Sequence, residues 1–228
     1  SSSSASSASP AQNPSVPSPT RDAGQDKRAF GILPNYRTVE DDLPFSKIPA
    51  ARKFRIAAAD TFDGPSYGLA AAFSGISQST GSNTSFHEGV LGYLHRYGTG
   101  LADQDIGNYM TEAIVPTLLH QDPRYFRRGH GSTWGRIIYA ASRTIIARND
   151  AGNWTFNAAE FLGNGVTGAI GNLYYPDSRG FAPTMQRMFT QISADTVSQV
   201  LREFWPDFKR KHLNKQKDSD LPVPAGIR

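Results

Sequence analysis

The stretch from residue 118 to 136 concentrates side chains that bind anions. It reads LLHQDPRYFRRGHGSTWGR and leads into the start of a predicted helix. Arginine side chains, free backbone N–H groups and the positive end of a helix together favour a phosphate or carboxylate. The sequence therefore predicts an anion-binding loop made of Arg124, Arg127, Arg128, His130 and Arg136. The alternative is that the arginines form ion pairs with Asp122, while Tyr125 and Phe126 anchor the loop to the core.

A second set of side chains could perform acid–base chemistry. Glu88 and His95 are seven residues apart, which places them on one stripe of a helix, and His120 and Asp122 follow in a later loop. Around one cleft they could act as acid and base in a hydrolase or lyase, or bind a divalent metal. His87 and His95 are eight residues apart, so the zinc-protease spacing of four is absent. The alternative is structural, with Glu88 capping its own helix and His95 half-buried and satisfied.

Glu160 and Asn164 lie one turn apart on an otherwise apolar predicted helix. Burying them without partners would cost several kcal/mol, so we expect a hydrogen-bonding partner, for which Arg143 of the preceding helix is the candidate. Such a network could fix the helix register or supply a carboxyl group with altered proton affinity. We predict the structural role for this polar network.

The elements that must position these residues are predicted to be helices. Apolar residues recur at spacings of three and four along most of the chain after Pro49. Clear stripes are Phe54 to Phe62, Trp134 to Ile145, and Met185 to Phe204, and we expect each to face the core. The sequence thus predicts an all-α fold, an irregular bundle of about six or seven helices, with a short extended arm before the first helix.

Composition divides the chain into three parts. Residues 1–29 are rich in Ser and Pro and are predicted to be a disordered leader, such as follows a removed signal peptide. Residues 30–208 form the predicted helical domain, and residues 209–228 a basic, flexible tail. Six basic and three acidic residues from 207 to 228 account for +3 of the formal net charge of +4. Because the charge lies in the tail, we predict no nucleic-acid partner.

Several classes of site are excluded by the sequence. It contains no cysteine, so disulfides and cysteine-ligated metals are impossible. The phosphate-binding loop, the dinucleotide-binding glycine pattern and the nucleophile elbow are all absent. We accordingly predict no cofactor and no dedicated metal site. No segment reaches the ~18 uninterrupted apolar residues typical of a membrane-spanning helix, so we expect no transmembrane span.

Four segments carry a resemblance to other proteins: DTFDGPSYG, HQDPRYFRRG, YAASRTIIARND and FNAAEFLGN with GNLYYP after it. Together they resemble a group of uncharacterised exported proteins of acidobacteria-like Gram-negative genomes, over roughly residues 31–208. The resemblance implies a location in the cell envelope. That group has no established activity, cofactor or catalytic residue, so the resemblance implies nothing about chemistry.

Two functions follow as hypotheses. The first is a non-enzymatic, exported envelope protein in the periplasm or at the periphery of the outer membrane, which contacts anionic lipid or an envelope protein. Small-residue helices and aromatic pairs would contact the partner, and the arginines of the predicted loop would meet lipid phosphates. The second is the hydrolase or lyase that uses Glu88, His95, His120 and Asp122.

Overall fold

The structure is a computed structural model that describes residues 28–29, 33–41 and 44–219, and most of this part is helical. The all-α fold expected from the sequence is confirmed. Nearly all of the predicted leader and the last nine residues of the predicted tail lie outside the described residues. The helices are α1 (Ala50–Thr61), α2 (Gly64–Ser79), α3 (Gly89–Asn108), α4 (Val115–Leu118), α5 (Thr133–Ile145), α6 (Ala158–Gly171) and α7 (Phe181–Ser219).

Short strands pair with one another in the segments outside the helices. An antiparallel pair joins β1 (Arg28–Ala29) to β2 (Leu33–Pro34), and another joins β5 (Ile146–Arg148) to β6 (Trp154–Phe156). The extended arm before α1 contributes β3 (Thr38–Glu40), which pairs in parallel with β4 (Tyr125–Arg127) and places Val39 opposite Phe126. The arm predicted from the sequence is therefore present, and its pairing fixes the arginine-bearing loop against the bundle.

Helices α3 and α4 form one continuous rod through a π-helical stretch, Tyr109–Ile114. Gly98 lies inside α3, where packing against α2 overrides the low helix propensity of glycine. Pro116 has no N–H, so the carbonyl of Glu112 loses the hydrogen bond it would accept in a regular helix. The π-helical stretch just before Pro116 accommodates this loss and turns Glu112 into the interior.

The central helix is α6, which packs against α3, α5, α7 and the π-helical stretch. Glycine allows the closest approach, because a Cβ atom at Gly163 would lie 2.8 Å from Thr111 Cγ2 and one at Gly168 would lie 2.9 Å from the Thr184 carbonyl oxygen. The N-terminus of α6 is capped by Asn157, whose side chain accepts a hydrogen bond from the N–H of Glu160. This close packing brings Glu160 and Asn164 into the interior.

Beside a small apolar core that includes Ile56, Phe86 and Phe126, the helices turn many large apolar residues of their stripes outward and several charged residues inward. Lys53 is 1% exposed and Glu203 is fully buried, whereas Phe62 is 68%, Trp134 74% and Ile138 67% exposed. The expectation that the stripes of α1, α5 and α7 face the core is therefore wrong. Other exposed members of these stripes are Phe54, Ile145, Phe189, Val197 and Leu201.

The inverted arrangement is held by hydrogen bonds and close packing of small residues. The Nζ of Lys53 donates to the carbonyls of Pro116 (3.2 Å) and Gln121 (2.7 Å) and to the Asp150 carboxylate (2.8 Å). A buried ammonium that meets three acceptors avoids most of the penalty of burial. Polar contacts and close packing of small residues thus do much of what an extensive apolar core does in an ordinary domain.

Candidate functional site

The loop predicted to bind an anion is built around a carboxylate of the same chain, that of Glu203 on α7. One oxygen, Oε1, accepts from Arg136 Nε (2.8 Å) and the Gly129 N–H (2.9 Å). The other, Oε2, accepts from the Tyr125 hydroxyl (2.8 Å) and the Arg128 N–H (3.1 Å). Burial raises the pKa of the Tyr125 hydroxyl, which keeps it a donor. The positively charged loop therefore fixes α7 to β4 and α5.

The arginines of this loop have further carboxylate partners. Arg127 meets Glu40 at 3.0 Å and Asp207 at 3.3 Å, and Arg136 also reaches Asp207. Arg124 pairs with Asp122, which matches the alternative interpretation of the sequence. The side chain of Arg128 lies over the Tyr139 ring, and His130 is exposed. Binding of an external anion at Arg124, Arg127, Arg128, His130 and Arg136 stays a prediction, and most of these donors are already engaged.

The four candidates for acid–base chemistry lie in four different surroundings. Glu88 is exposed and directly precedes α3, without capping it through its side chain. His95 stacks on Phe86 with 4.1 Å between ring centroids. His120 is exposed, 3.8 Å from Asp150, and the fully buried Asp122 side chain accepts from Arg124. Among the described residues, no hydrogen bond or ion pair joins these four side chains to one another, so their common catalytic role stays a prediction without geometric support.

The predicted polar network is present in part. Asn164 Nδ2 donates to Glu160 Oε1 at 3.0 Å, and both residues are buried. Arg143 lies elsewhere, stacked on the rings of Tyr139 and Trp154 and bonded to the Ser142 hydroxyl. The cation that faces Glu160 is instead Arg37, which enters from the extended arm.

A polar cleft lies between α2, α3, α6 and α7. It has two adjacent lobes of about 430 and 350 Å³ that share five lining residues. Amide and hydroxyl groups line the shared region, together with Asp103, which accepts hydrogen bonds from the hydroxyls of Tyr174 and Tyr175. The shared lining residues are Asn83, Asp103, Asn164, Tyr175 and Gln191.

Ionisable side chains form the inner end of this cleft. Arg37 NH1 lies 3.0 Å from Glu112 Oε1, and its NH2 lies 4.0 Å from Asp195 Oδ1. The carboxyl groups of Asp60 and Glu112 lie within hydrogen-bonding reach of each other, and so do those of Glu160 and Asp195. Arg37 therefore sits between two pairs of carboxyl groups, and we call the set the carboxyl–arginine network; its members are Arg37, Asp60, Glu112, Glu160, Asp195 and Arg202.

Burial governs the proton affinity of this network. Desolvation raises the pKa of Glu112 well above its usual value, and the neighbouring Asp60 raises it further, while Arg37 opposes the shift. Desolvation also raises the pKa of Asp60 and, well above its usual value, that of Glu160. Such perturbed groups in a cleft are typical of functional sites, although structural networks show them too.

The sequence interpretation missed Asp60, Glu112, Asp195, Arg202 and Arg37. One signal for them was available. Lys53 and Asp60 are seven residues apart on α1, and Asp195 and Arg202 are seven apart on α7, so each pair lies on one helical stripe. Polar residues that recur at this helical spacing indicate that the polar face of the helix also packs against other parts of the protein.

The fold and site together define an all-α protein with buried charged groups, a cleft lined in part by polar groups, and many exposed apolar side chains. Comparison with protein families, curated proteins and solved structures finds no match for this chain. Across the described ranges, no group of three or more His, Asp or Glu residues is arranged to hold a metal ion. Within the same ranges, no helix combines the length and apolarity needed to cross a membrane.

Proposed function

We propose that this chain is an envelope-associated, non-enzymatic protein that binds the surface of a lipid membrane. The observation that carries the proposal is the outward direction of the apolar stripes. A soluble monomer rarely exposes a contiguous apolar patch of more than a few hundred Å², and larger ones mark contacts with protein or membrane. Here large apolar side chains are exposed on every helix from α1 to α7.

Lipid explains this distribution better than one protein partner. Exposed apolar residues are spread over α1 (Phe54), α2 (Phe73), α3 (Leu91), α5 (Trp134) and α7 (Phe189), so the apolar surface is not confined to one helix. Fluid acyl chains adapt to an irregular surface of this kind. Close packing at glycine and buried polar contacts also hold helices together in lipid, where no hydrophobic force drives them to associate.

Electrostatics supports a membrane with anionic lipid. Exposed basic side chains accompany the apolar surface, among them Lys47, Arg55, Arg128, Arg210 and Lys211. The Lys/Arg residues of this chain outnumber its Asp/Glu residues by 24 to 20. Each basic side chain near an anionic surface contributes ~1 kcal/mol, which salt weakens. The Ser/Pro-rich composition of residues 1–29 supports export to the periplasm or the periphery of the outer membrane.

Flotation with vesicles tests this proposal. We expect the full chain to float with vesicles that contain anionic lipid, to float less at high salt, and to keep some binding to neutral vesicles through its apolar surface. Vesicles of one size, with and without anionic lipid, and a salt series at each composition separate the two contributions. Protein that stays unbound on both compositions at low salt would contradict the proposal.

An acid–base enzyme is the second candidate function, and one observation favours it. Paired carboxyl groups of Asp60 and Glu112 lie at the inner end of a cleft that polar groups line. Such an enzyme would use these residues and not the cluster of Glu88, His95, His120 and Asp122 expected from the sequence. It requires that a group in the cleft hold a proton at neutral pH.

A further inference from the structure

The Asp60 and Glu112 carboxyl groups lie close to each other in the interior of the protein. Asp60 is 3% and Glu112 2% exposed, and the two groups lie within hydrogen-bonding reach. Asp60 Oδ1 and Glu112 Oε2 each have no hydrogen-bond donor among the described residues. Two carboxylates this close repel each other, and a single proton between them supplies the missing donor and removes the repulsion.

The surrounding charges also require protons. The charged groups around this pair and its partner Arg37 are Glu160 from α6, Asp195 and Arg202 from α7, and Asp63, which follows α1 and accepts a hydrogen bond from the Tyr36 hydroxyl. The carboxyl–arginine network itself, without Asp63, contains four carboxyl groups and two guanidinium groups. Four carboxylates and two guanidinium groups would leave a net charge of −2 in the interior, which is costly to bury. One proton on each carboxyl pair makes the carboxyl–arginine network neutral.

Asn164 gives an independent indication that the cleft receives a polar occupant. Its side chain is 2% exposed, and Nδ2 is engaged by Glu160, but Oδ1 has no donor among the described residues. Asn164 lines both lobes of the cleft. A buried acceptor without a donor is unfavourable, so a hydroxyl or N–H group that enters the cleft would be stabilised there.

We propose that Asp60 and Glu112 form a proton-binding site that holds one proton at neutral pH and exchanges it with polar groups in the cleft. The proton moves between a carboxyl oxygen of the pair and an oxygen or nitrogen atom of the occupant, with no other bond changed. The site does not depend on lipid binding, so each proposal can fail alone.

Stability measured against pH in wild type and Glu112→Gln tests the site. Glutamine keeps the shape of the protonated side chain, and its amide N–H can donate a hydrogen bond to Asp60 without any titratable proton. As the pH rises, the unfolded wild-type chain loses this proton near the ordinary glutamate pKa of ~4.3. The folded wild-type chain keeps the proton to a higher pH. Stability from this proton is therefore complete below the unfolded pKa and decreases as the pH rises toward the raised folded pKa. We expect the unfolding constant of wild type to rise roughly tenfold more per pH unit than that of Glu112→Gln.

Controls distinguish this proton from general effects. Glu88→Gln, at an exposed glutamate, should keep the wild-type dependence on pH. Asp60→Asn should weaken the dependence of stability on pH as Glu112→Gln does. It replaces Glu112→Gln as the test if that variant does not fold. Infrared spectra of wild type at neutral pH should contain a protonated carboxyl band that either variant reduces. Equal pH slopes in all four proteins, or a wild-type spectrum without that band, would overturn the proposal.

Discussion

Replacement of Glu203 by alanine is expected to lower the free energy of unfolding by about 3–5 kcal/mol. The fully buried carboxylate accepts four hydrogen bonds, of which one comes from the Arg136 guanidinium. Alanine would leave Arg136 Nε and the backbone N–H groups of Arg128 and Gly129 without this acceptor, although Arg136 would keep its contact with Asp207. Removing one partner of a buried ion pair costs much more than the pair itself contributes, because the other charge stays buried.

Chemical denaturation measures this effect directly. Glu203→Gln should fall between wild type and alanine, because the amide oxygen still accepts hydrogen bonds but the negative charge is gone. Glu88→Ala, at an exposed glutamate, should stay within about 0.5 kcal/mol of wild type. A Glu203→Ala protein as stable as Glu88→Ala would mean that an external anion, and not Glu203, normally occupies the arginine-bearing loop.

Lipid binding should fall roughly a hundredfold when Trp134, Ile138 and Ile145 of α5 are all replaced by serine. These side chains are 74%, 67% and 52% exposed, so their replacement changes the surface and leaves the interior intact. Full burial of an apolar side chain of this size contributes ~1.5–3 kcal/mol. Partial insertion of three such side chains corresponds to at least two powers of ten in the dissociation constant.

The matched control replaces three exposed polar residues, Asn153, Gln186 and Thr190, by serine. Both triple variants should keep the wild-type circular dichroism spectrum and unfold cooperatively. Titration with vesicles of fixed composition then gives the two dissociation constants. Equal lipid affinity of the two variants would show that the stripe of α5 does not contact lipid.

Local features of the fold could be predicted from the sequence because neighbouring residues determine them. Ser132 caps α5 by accepting a hydrogen bond from the Gly135 N–H, and Asn157 caps α6, both as their types and positions suggest. The existence of the helices follows from periodicity. Proline disturbs the hydrogen bonds of the helical turn before it, and the π-helical stretch ends two residues before Pro116. None of these features depends on residues distant in the chain.

The direction in which each helix faces could not be predicted in this way. A period of 3.6 residues separates an apolar face from a polar one, but it does not state which face meets the other helices. That choice depends on contacts between distant residues, such as Arg37 with Glu112 or Arg136 with Glu203. The candidate site was missed for the same reason, since its residues come from the arm and four separate helical elements.

Residue-level footprinting tests the inverted arrangement most directly. A carbene reagent labels accessible apolar side chains, and an acylating reagent labels accessible lysines. We predict strong carbene labelling of Trp134 and Ile138 in lipid-free protein, and protection of both when anionic vesicles are added. Lys47, whose side chain is 65% exposed, should be acylated readily, while Lys53, at 2%, should react only after unfolding. Protected Trp134 and Ile138 together with a reactive Lys53 in folded, lipid-free protein would contradict the account.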